Sequence, residues 1–363
     1  MMTVHLVVLN YNGRKLLAEC LPSLLHAARR SRHRCEVVVI DNGSTDDSAT
    51  YLRVVFPQAR LFEQPNRGLC SYNEVLAQLP GRVAILLNND IKLAEDAVDP
   101  LVEPFSTDHD GSAADCFMAA PLCLRFDGGG HEGLQAAVRW RWGLVEATAY
   151  FPGYERTKFL PGLTAAAGPV MAVDRERFSQ LGGFDPLYLP GRLEDFDFAF
   201  RGYLAGFQAR YVPASVAYHK GQASFDAAYG PAACDVLALR NTLLFQWKNL
   251  RCPEHVARYL AALPVRFAFD WLRAPLAPRE ARFAFTRAFF TALGRLGACR
   301  RTTCPPRRSR QAERDFFERF AADRMAERAI ASNLRFPAAP LSNPPCEAAD
   351  RDELLAAIGG PHG

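Results

Sequence analysis

Ten cysteines occur in 363 residues, yet no two form Cys-x-x-Cys. The nearest pair, Cys299 and Cys304, spans an arginine-rich stretch with no histidine beside it. That spacing argues against zinc and for reduced thiols in a cytoplasmic setting. Long apolar runs are missing too. No window approaches the ~18 apolar residues of a membrane span, and the opening Met1 to Asn10 lacks the basic-then-apolar form of a secretion signal. Neither secretion nor membrane crossing is expected. No Gly-x-Gly-x-x-Gly follows the first apolar segment and there is no Walker lysine loop, so neither a dinucleotide fold nor a P-loop is supported. Lys and Arg number 43 against 39 Asp and Glu, a net charge of only +4. What remains is an ordinary globular composition, 49% hydrophobic, sufficient to bury the core of one large domain or two modest ones.

The run Ala84 to Leu87 stops abruptly at Asn88-Asn89-Asp90 before hydrophobicity resumes at Ile91. This predicts a strand covered on both faces that delivers polar groups at its carboxyl end, although an Asn-Asn-Asp turn between two strands would look the same in isolation. The theme recurs upstream. Val4 to Leu9 ends at Asn10-Tyr11-Asn12-Gly13, and Val37 to Ile40 ends at Asp41-Asn42-Gly43-Ser44, where Ser44, Asp46 and Asp47 suit the start of a helix. A short strand at Arg60 to Phe62 leads to Pro65-Asn66-Arg67-Gly68 and another helix. Alternating strands and helices predict a mostly parallel α/β sheet, and ligands collect beyond the carboxyl ends of such strands. Asn10, Asn12, Asp41, Asn66 and Asn88 to Asp90 are therefore expected to line one crevice. A nucleotide suits it, with Asp41 accepting from a base or ribose and a cation at Asp90 facing phosphates.

Between Leu93 and Phe159 two strands are expected, Cys116 to Met118 and Leu122 to Phe126, followed by a Gly128-Gly129-Gly130 turn. Arg139, Trp140, Arg141 and Trp142 alternate in a way that fits a half-buried strand better than a sugar platform. Small residues from Ala165 to Ala172 allow close approach of a ligand or of backbone. After Gly182-Gly183-Phe184-Asp185-Pro186 come Glu194, Asp195 and Asp197, opening a helix through Phe200, Tyr203 and Leu204. Carboxylates so close together suit a metal, a substrate or a catalytic base, or simply a stabilised helix start. The helix dipole is expected to keep Asp195 ionised while Glu194 pushes the other way. A strand from Phe207 to Val212 and the loop His219-Lys220-Gly221-Gln222-Ala223-Ser224 complete the chemically informative part.

Taken in order, these segments resemble the family 2 glycosyltransferases, especially the rhamnosyltransferase-like branch, over residues 3 to 225. The resemblance implies a GT-A fold, a nucleotide-diphosphate sugar donor such as dTDP-rhamnose or a UDP-sugar, and inverting transfer to a hydroxyl of a glycan or lipid-linked saccharide. By motif position it implies that Asp41 holds the nucleoside, with Asn10, Asn66, Gly68, Asn73, Asn88 and Asn89 around the donor. It also implies that Asp90 and His219 bind Mg²⁺ or Mn²⁺, and that Asp195 is the base with Glu194 beside it. One departure is that Asn88 stands where the family's Asp-x-Asp has its first aspartate, which predicts a looser hold on the cation. A nucleotidyltransferase would need a basic glycine-rich loop that Asn10 to Lys15 lacks. An inactive glycan-binding or scaffold protein is suggested only by Asn88.

The expected organisation is a GT-A domain over 1–225, a basic helical region over 226–337 and a loose tail over 338–363. Arg240 to Ile330 holds nineteen Lys or Arg against eight Asp or Glu, interleaved with aromatics. Phe285, Phe289, Leu293 and Leu296 fall on one helical face. Such a region can lie on an anionic membrane at the inner face of the cell, or pack against the catalytic domain. Cys299 to Arg310 reads as a basic loop. No nucleic-acid recognition motif accompanies the charge.

Overall fold

The computed structural model describes residues 1–106, 115–127, 129–221, 230–299 and 309–335. Gly128, Gln222 to Phe225, Cys304, the 225/226 boundary and the 338–363 tail lie outside them. The chain opens as β1 (Thr3–Asn10), α1 (Arg14–Arg30), β2 (Arg34–Asp41), α2 (Ser48–Val55), β3 (Arg60–Glu63), α3 (Ser71–Gln78) and β4 (Val83–Asn88). These four strands pair in parallel in the order β4-β1-β2-β3. Alternation within each strand sorts its side chains to two covered faces. Val4, Leu6 and Val8 pack with Leu17, Leu21 and Leu24 of α1, while Val7, Val38 and Ile40 pack with Tyr72, Val75 and Leu76 of α3. In register, Asn10 lies opposite Asp41 and Leu9 opposite Asn88, which brings the strand ends level.

Beyond β4 the sheet becomes mixed. β5 (Ile91–Leu93), α4 (Val98–Val102), β6 (Cys116–Arg125), β7 (His131–Gly133), the hairpin β8 (Ala137–Arg141) and β9 (Leu144–Thr148), β10 (Gly162–Leu163), β11 (Val170–Asp174), α5 (Arg175–Gln180), α6 (Glu194–Leu204) and β12 (Gln208–His219) follow. β11 lies antiparallel between β4 and β6, and β12 is parallel to β6. The two strands expected around residues 116–126 are one continuous strand, because Ala119 and Ala120 pair with β12 without interruption. Trp140 belongs to the hairpin, but Trp142 sits in its turn, 54% exposed. The cap of α2 also differs from expectation: Asp46 accepts from Ser48 N at 3.0 Å, and Ser44 turns back to Asp41.

The remaining helices are α7 (Pro231–Asn249), α8 (Pro253–Arg273), α9 (Ala284–Leu293), α10 (Leu296–Cys299), α11 (Arg310–Arg319) and α12 (Met325–Arg335). They do not stand apart. Leu243, Leu244, Phe245, Phe285, Phe316 and Phe320 share one apolar cluster with Leu187, Tyr188, Phe196 and Phe200. Glu313 ties α11 to the start of α8, accepting from Arg251 N at 2.7 Å and contacting His255 Nδ1 at 2.6 Å. Among the described residues, no helix is long and apolar enough to cross a membrane, and the eight cysteines form no disulfide with one another.

Candidate active site

Strand ends build the first wall. Asn10 is fully buried, donates to Asp41 Oδ1 at 3.1 Å and accepts from Asn89 Nδ2 at 2.9 Å. Asp41 also accepts from Ser44 Oγ at 2.6 Å and Ser44 N at 3.1 Å. The two residues satisfy each other and fix the turns after β1 and β2. Gly13 packs where any Cβ would overlap Asn89 Nδ2 and Asn10 Oδ1, so the sequence needs glycine there. Of the residues expected to line one crevice, Asn66, Asn88, Asn89 and Asp90 border the cleft together with Asn42 and Gly68, while Asn10 and Asp41 are buried at the turns beside it. Asn42 donates to Asn66 Oδ1 at 3.1 Å and accepts from Arg67 N and Ser71 Oγ. Asn73 is elsewhere. Its amide brackets the Phe184 backbone, with 2.9 Å bonds to both N and O, and so positions the Gly183-Phe184 loop.

Asp90 and His219 arrive from β4 and β12 and meet at 3.3 Å, Oδ2 to Nε2. Glu132, absent from the sequence reading, approaches His219 Nδ1 at 3.7 Å. Burial works against a charged imidazole, but Asp90 and Glu132 outweigh it and raise the His219 pKa. Asp90 is 4% exposed, and its Oδ1 has no hydrogen-bond partner among the described residues. A buried carboxylate oxygen left without a donor, beside an imidazole, suits a hard cation. Asn88 is half-buried at the cleft and adds a neutral oxygen.

The second wall is the acid loop. Arg192 and Leu193 precede α6 with φ of 82° and 74°, two consecutive non-glycine residues in the left-handed region. Such backbone persists only where surrounding contacts hold it. Asn241 of α7 supplies them, donating to Tyr188 O, Gly191 O and Arg192 O at 2.7–2.9 Å. Arg240 adds a bond to Leu189 O at 2.7 Å. The three carboxylates then take three different fates. Asp195 lines the cleft and accepts from Gly168 N at 3.0 Å. Its pKa is raised, because burial exceeds the effect of the amides of Gly168, Phe196 and Ala167. Glu194 is 2% exposed, its Oε1 has no hydrogen-bond partner among the described residues, and burial pushes its pKa up to about 8, with the Asp195 charge adding. Asp197 points the other way, into a buried network of Lys248 Nζ at 2.9 and 3.0 Å, Arg201 Nε at 2.7 Å, Tyr188 Oη at 2.8 Å and Asn249 Nδ2 at 2.8 Å. Burial alone would raise its pKa, yet Lys248 and Arg201 hold the carboxyl far below the usual range. Lys248 also reaches Asp185 Oδ2 at 2.6 Å, so Asp185 anchors the loop.

Asn241, Lys248 and Asn249 are what residue-type reasoning left without a role. Asn241 and Lys248 stand seven apart on one helical face, a signal that their arrangement in α7 could have given.

Both walls enclose one cleft of about 1470 Å³, lined by Asn88, Asp90, Gly168, Glu194, Asp195 and His219 and extended outward by Trp142 and α8. Residues 5–169, the segment carrying the first wall, match the family model described as Glycosyl transferase family 2. The chain carries a glycosyl transferase family 2 domain. The chain is also similar to curated proteins. N-acetylgalactosaminyltransferase 7 of Homo sapiens is 26% identical over 236 residues, which are 60% of this chain and 36% of that protein. The match thus spans little more than a third of that relative's length. N-acetylglucosaminyl-diphospho-decaprenol L-rhamnosyltransferase of Mycobacterium tuberculosis (strain ATCC 25618 / H37Rv) is 27% identical over 248 residues, 60% of this chain and 76% of that protein. A crystal structure of GalNAc-T7 with UDP, GalNAc and Mn²⁺ superposes with a TM-score of 0.54 at 21% identity, covering 84% of this chain and 58% of the other. The fold around the family 2 domain is GT-A.

Proposed function

We propose that the chain is an inverting glycosyltransferase that moves a sugar from a nucleotide-diphosphate donor, dTDP-rhamnose or a UDP-sugar, to a hydroxyl of a glycan or lipid-linked saccharide. The observation that carries this reading is the presence of Asp195 and the Asp90–His219 pair on one cleft, whose first wall lies in the segment that matches family 2. The names of the rhamnosyltransferase and N-acetylgalactosaminyltransferase relatives support the two donor choices. Asn42, Asn66 and Gly68 border the nucleoside side, with Asn10 and Asp41 fixing the turns that present them. Asp90 and His219, with Asn88 as a neutral neighbour, would hold Mg²⁺ or Mn²⁺, whose charge would stabilise the leaving diphosphate. Asp195 takes the proton of the acceptor hydroxyl while its oxygen bonds to the anomeric carbon from the side opposite the nucleotide. The bond from that carbon to the diphosphate oxygen breaks, and the electron pair leaves with the nucleotide. One displacement inverts the centre.

Glu194, neutral over much of the working pH range, keeps a second negative charge from competing beside the base. The cysteine spacing, with no Cys-x-x-Cys, fits a reducing, cytoplasmic setting. The test is a panel of UDP, dTDP and GDP with Mn²⁺. One of them should raise the melting temperature, a ligand at 100 times its Kd adding about 2.7 kcal/mol, and Asp90→Ala should remove the metal-dependent part. No shift with any of the three would refute the assigned cleft.

A further inference from the structure

The basic, aromatic C-terminal helices do not offer the face expected from sequence. Phe285, Ala288 and Ala292 of α9 are buried, and Phe289 is packed against Trp247 and Phe267. Phe290 and Leu293 of α9 are exposed, but the longer exposed apolar surface belongs to α8. Its inner side, Tyr259, Leu263 and Phe267, joins the core. Outward stand Leu260 (54% exposed), Val265 (58%), Trp271 (62%), Leu272 (78%) and, just past the helix, Leu276 (88%), with Ala261, Pro264 and Ala268 exposed among them. Between Tyr259 and Leu272 the charged side chains are Arg266 and Asp270, and both turn inward. Arg266 donates to Trp142 O and Arg141 O, each at 2.6 Å, and Asp270 accepts from Phe285 N and Thr286 N. The outer face is left without charge along roughly 20 Å of helix. Exposed arginines outnumber acids in the frame around it: Arg258 with Glu254 at one end, and Arg273, Arg279 and Arg282 with Glu280 at the other.

An uncharged stripe carrying Leu, Val, Phe and Trp, bounded by arginines and too short on apolar residues to cross a bilayer, suits a helix lying in a lipid interface. The charge of the frame selects anionic headgroups. The stripe is also continuous with the cleft, since Phe269, Arg273 and Ala274 line the same space as Asp195.

We propose that the outer face of α8 docks on an anionic phospholipid membrane and sets the mouth of the cleft against the lipid surface. It deepens the sugar-transfer reading by assigning the side from which a lipid-linked acceptor enters, but docking itself needs no substrate. The test is flotation of the full chain with vesicles of pure phosphatidylcholine and with vesicles about one-third phosphatidylglycerol, at about 0.1 M and 0.5 M salt. The protein should float with the anionic vesicles, less so at high salt. Val265→Asp/Leu272→Asp, exposed positions outside the cleft lining, should lower partitioning at least about tenfold. Val54→Asp, at another exposed valine on α2, should not. Unchanged melting temperatures would show that both variants fold, and nucleotide binding should be equal in all three proteins. Failure of the wild-type chain to float, or equal flotation of the double variant, overturns the proposal while leaving donor binding to speak for sugar transfer. A wild-type dimer that the double variant converts to monomer, or flotation that appears only after residues 336–363 are removed, also overturns it, by showing that a second copy or the chain's own tail covers the face.

Discussion

Lys248→Met isolates the role of α7 in holding the acid loop. The ammonium is buried and lies 2.6 Å from Asp185 and 2.9–3.0 Å from Asp197. Methionine preserves the bulk but leaves Asp185 with the Leu187 amide and Asp197 with Arg201, Tyr188 and Asn249. Removing one partner of a buried ion pair costs about 3–5 kcal/mol. For a chain of this size that is a fall in melting temperature of roughly 4–7 °C. The pH dependence follows from the sign of the Asp197 shift. Its folded pKa is depressed, so its stabilisation is present above the usual carboxylate range and lost as pH falls through the folded value. Without Lys248 that depression shrinks, and acid unfolding should begin at higher pH. Urea denaturation of both proteins at about pH 7 and about pH 3 measures this directly. Asp185→Asn on the Lys248→Met background should restore part of the loss by removing one uncompensated charge. A deficit under about 1 kcal/mol at neutral pH would refute the claim that this lysine organises the loop.

Glu194→Gln should gain stability over wild type as pH rises. A folded pKa raised to about 8 means that the glutamate's contribution is intact below its usual titration and lost on passing through 8. The difference between the two proteins should grow from pH 5 to 9 towards an upper bound of roughly 5 kcal/mol, read from urea midpoints, and a flat difference would contradict the burial argument. Gly13→Ala should break the Asn10–Asn89 bond and weaken nucleotide binding by about tenfold in calorimetry. Asp90→Ala should lower the His219 pKa by removing its nearest carboxylate, visible as an upfield shift in the imidazole titration by NMR.

Strand ends were the legible part of this molecule. Apolar runs that stop at Asn10, Asp41 and Asn88 announce parallel strands, because two covered faces need unbroken hydrophobicity and the polar residues can come only where cover ends. Their orientation was not legible. Asn10 and Asp41 look identical in sequence to cleft-facing ligands, yet they satisfy one another across 3.1 Å in the interior. Glu194, Asp195 and Asp197 were readable as a chemical cluster. Their division into neutral neighbour, cleft carboxylate and buried anchor depends on Lys248, fifty-one positions beyond Asp197. The same long-range pairing misleads a charge count: Arg240 and Lys248 add to a basic total while being buried. In α8, Arg266 and Asp270 break up the apolar pattern along the sequence, and only their inward bonds expose the stripe.

The most direct test of the account is sugar transfer and donor binding measured side by side for Asp195→Asn, Glu194→Gln and Asp197→Asn. Asp195→Asn keeps the shape and the cleft but removes the basicity, so turnover should fall about 10² to 10⁴-fold with donor affinity nearly unchanged. Asp197→Asn should act through stability and Glu194→Gln should retain most of its turnover. Near-normal turnover in Asp195→Asn, with either neighbour inactive though folded, would contradict the assignment of the base.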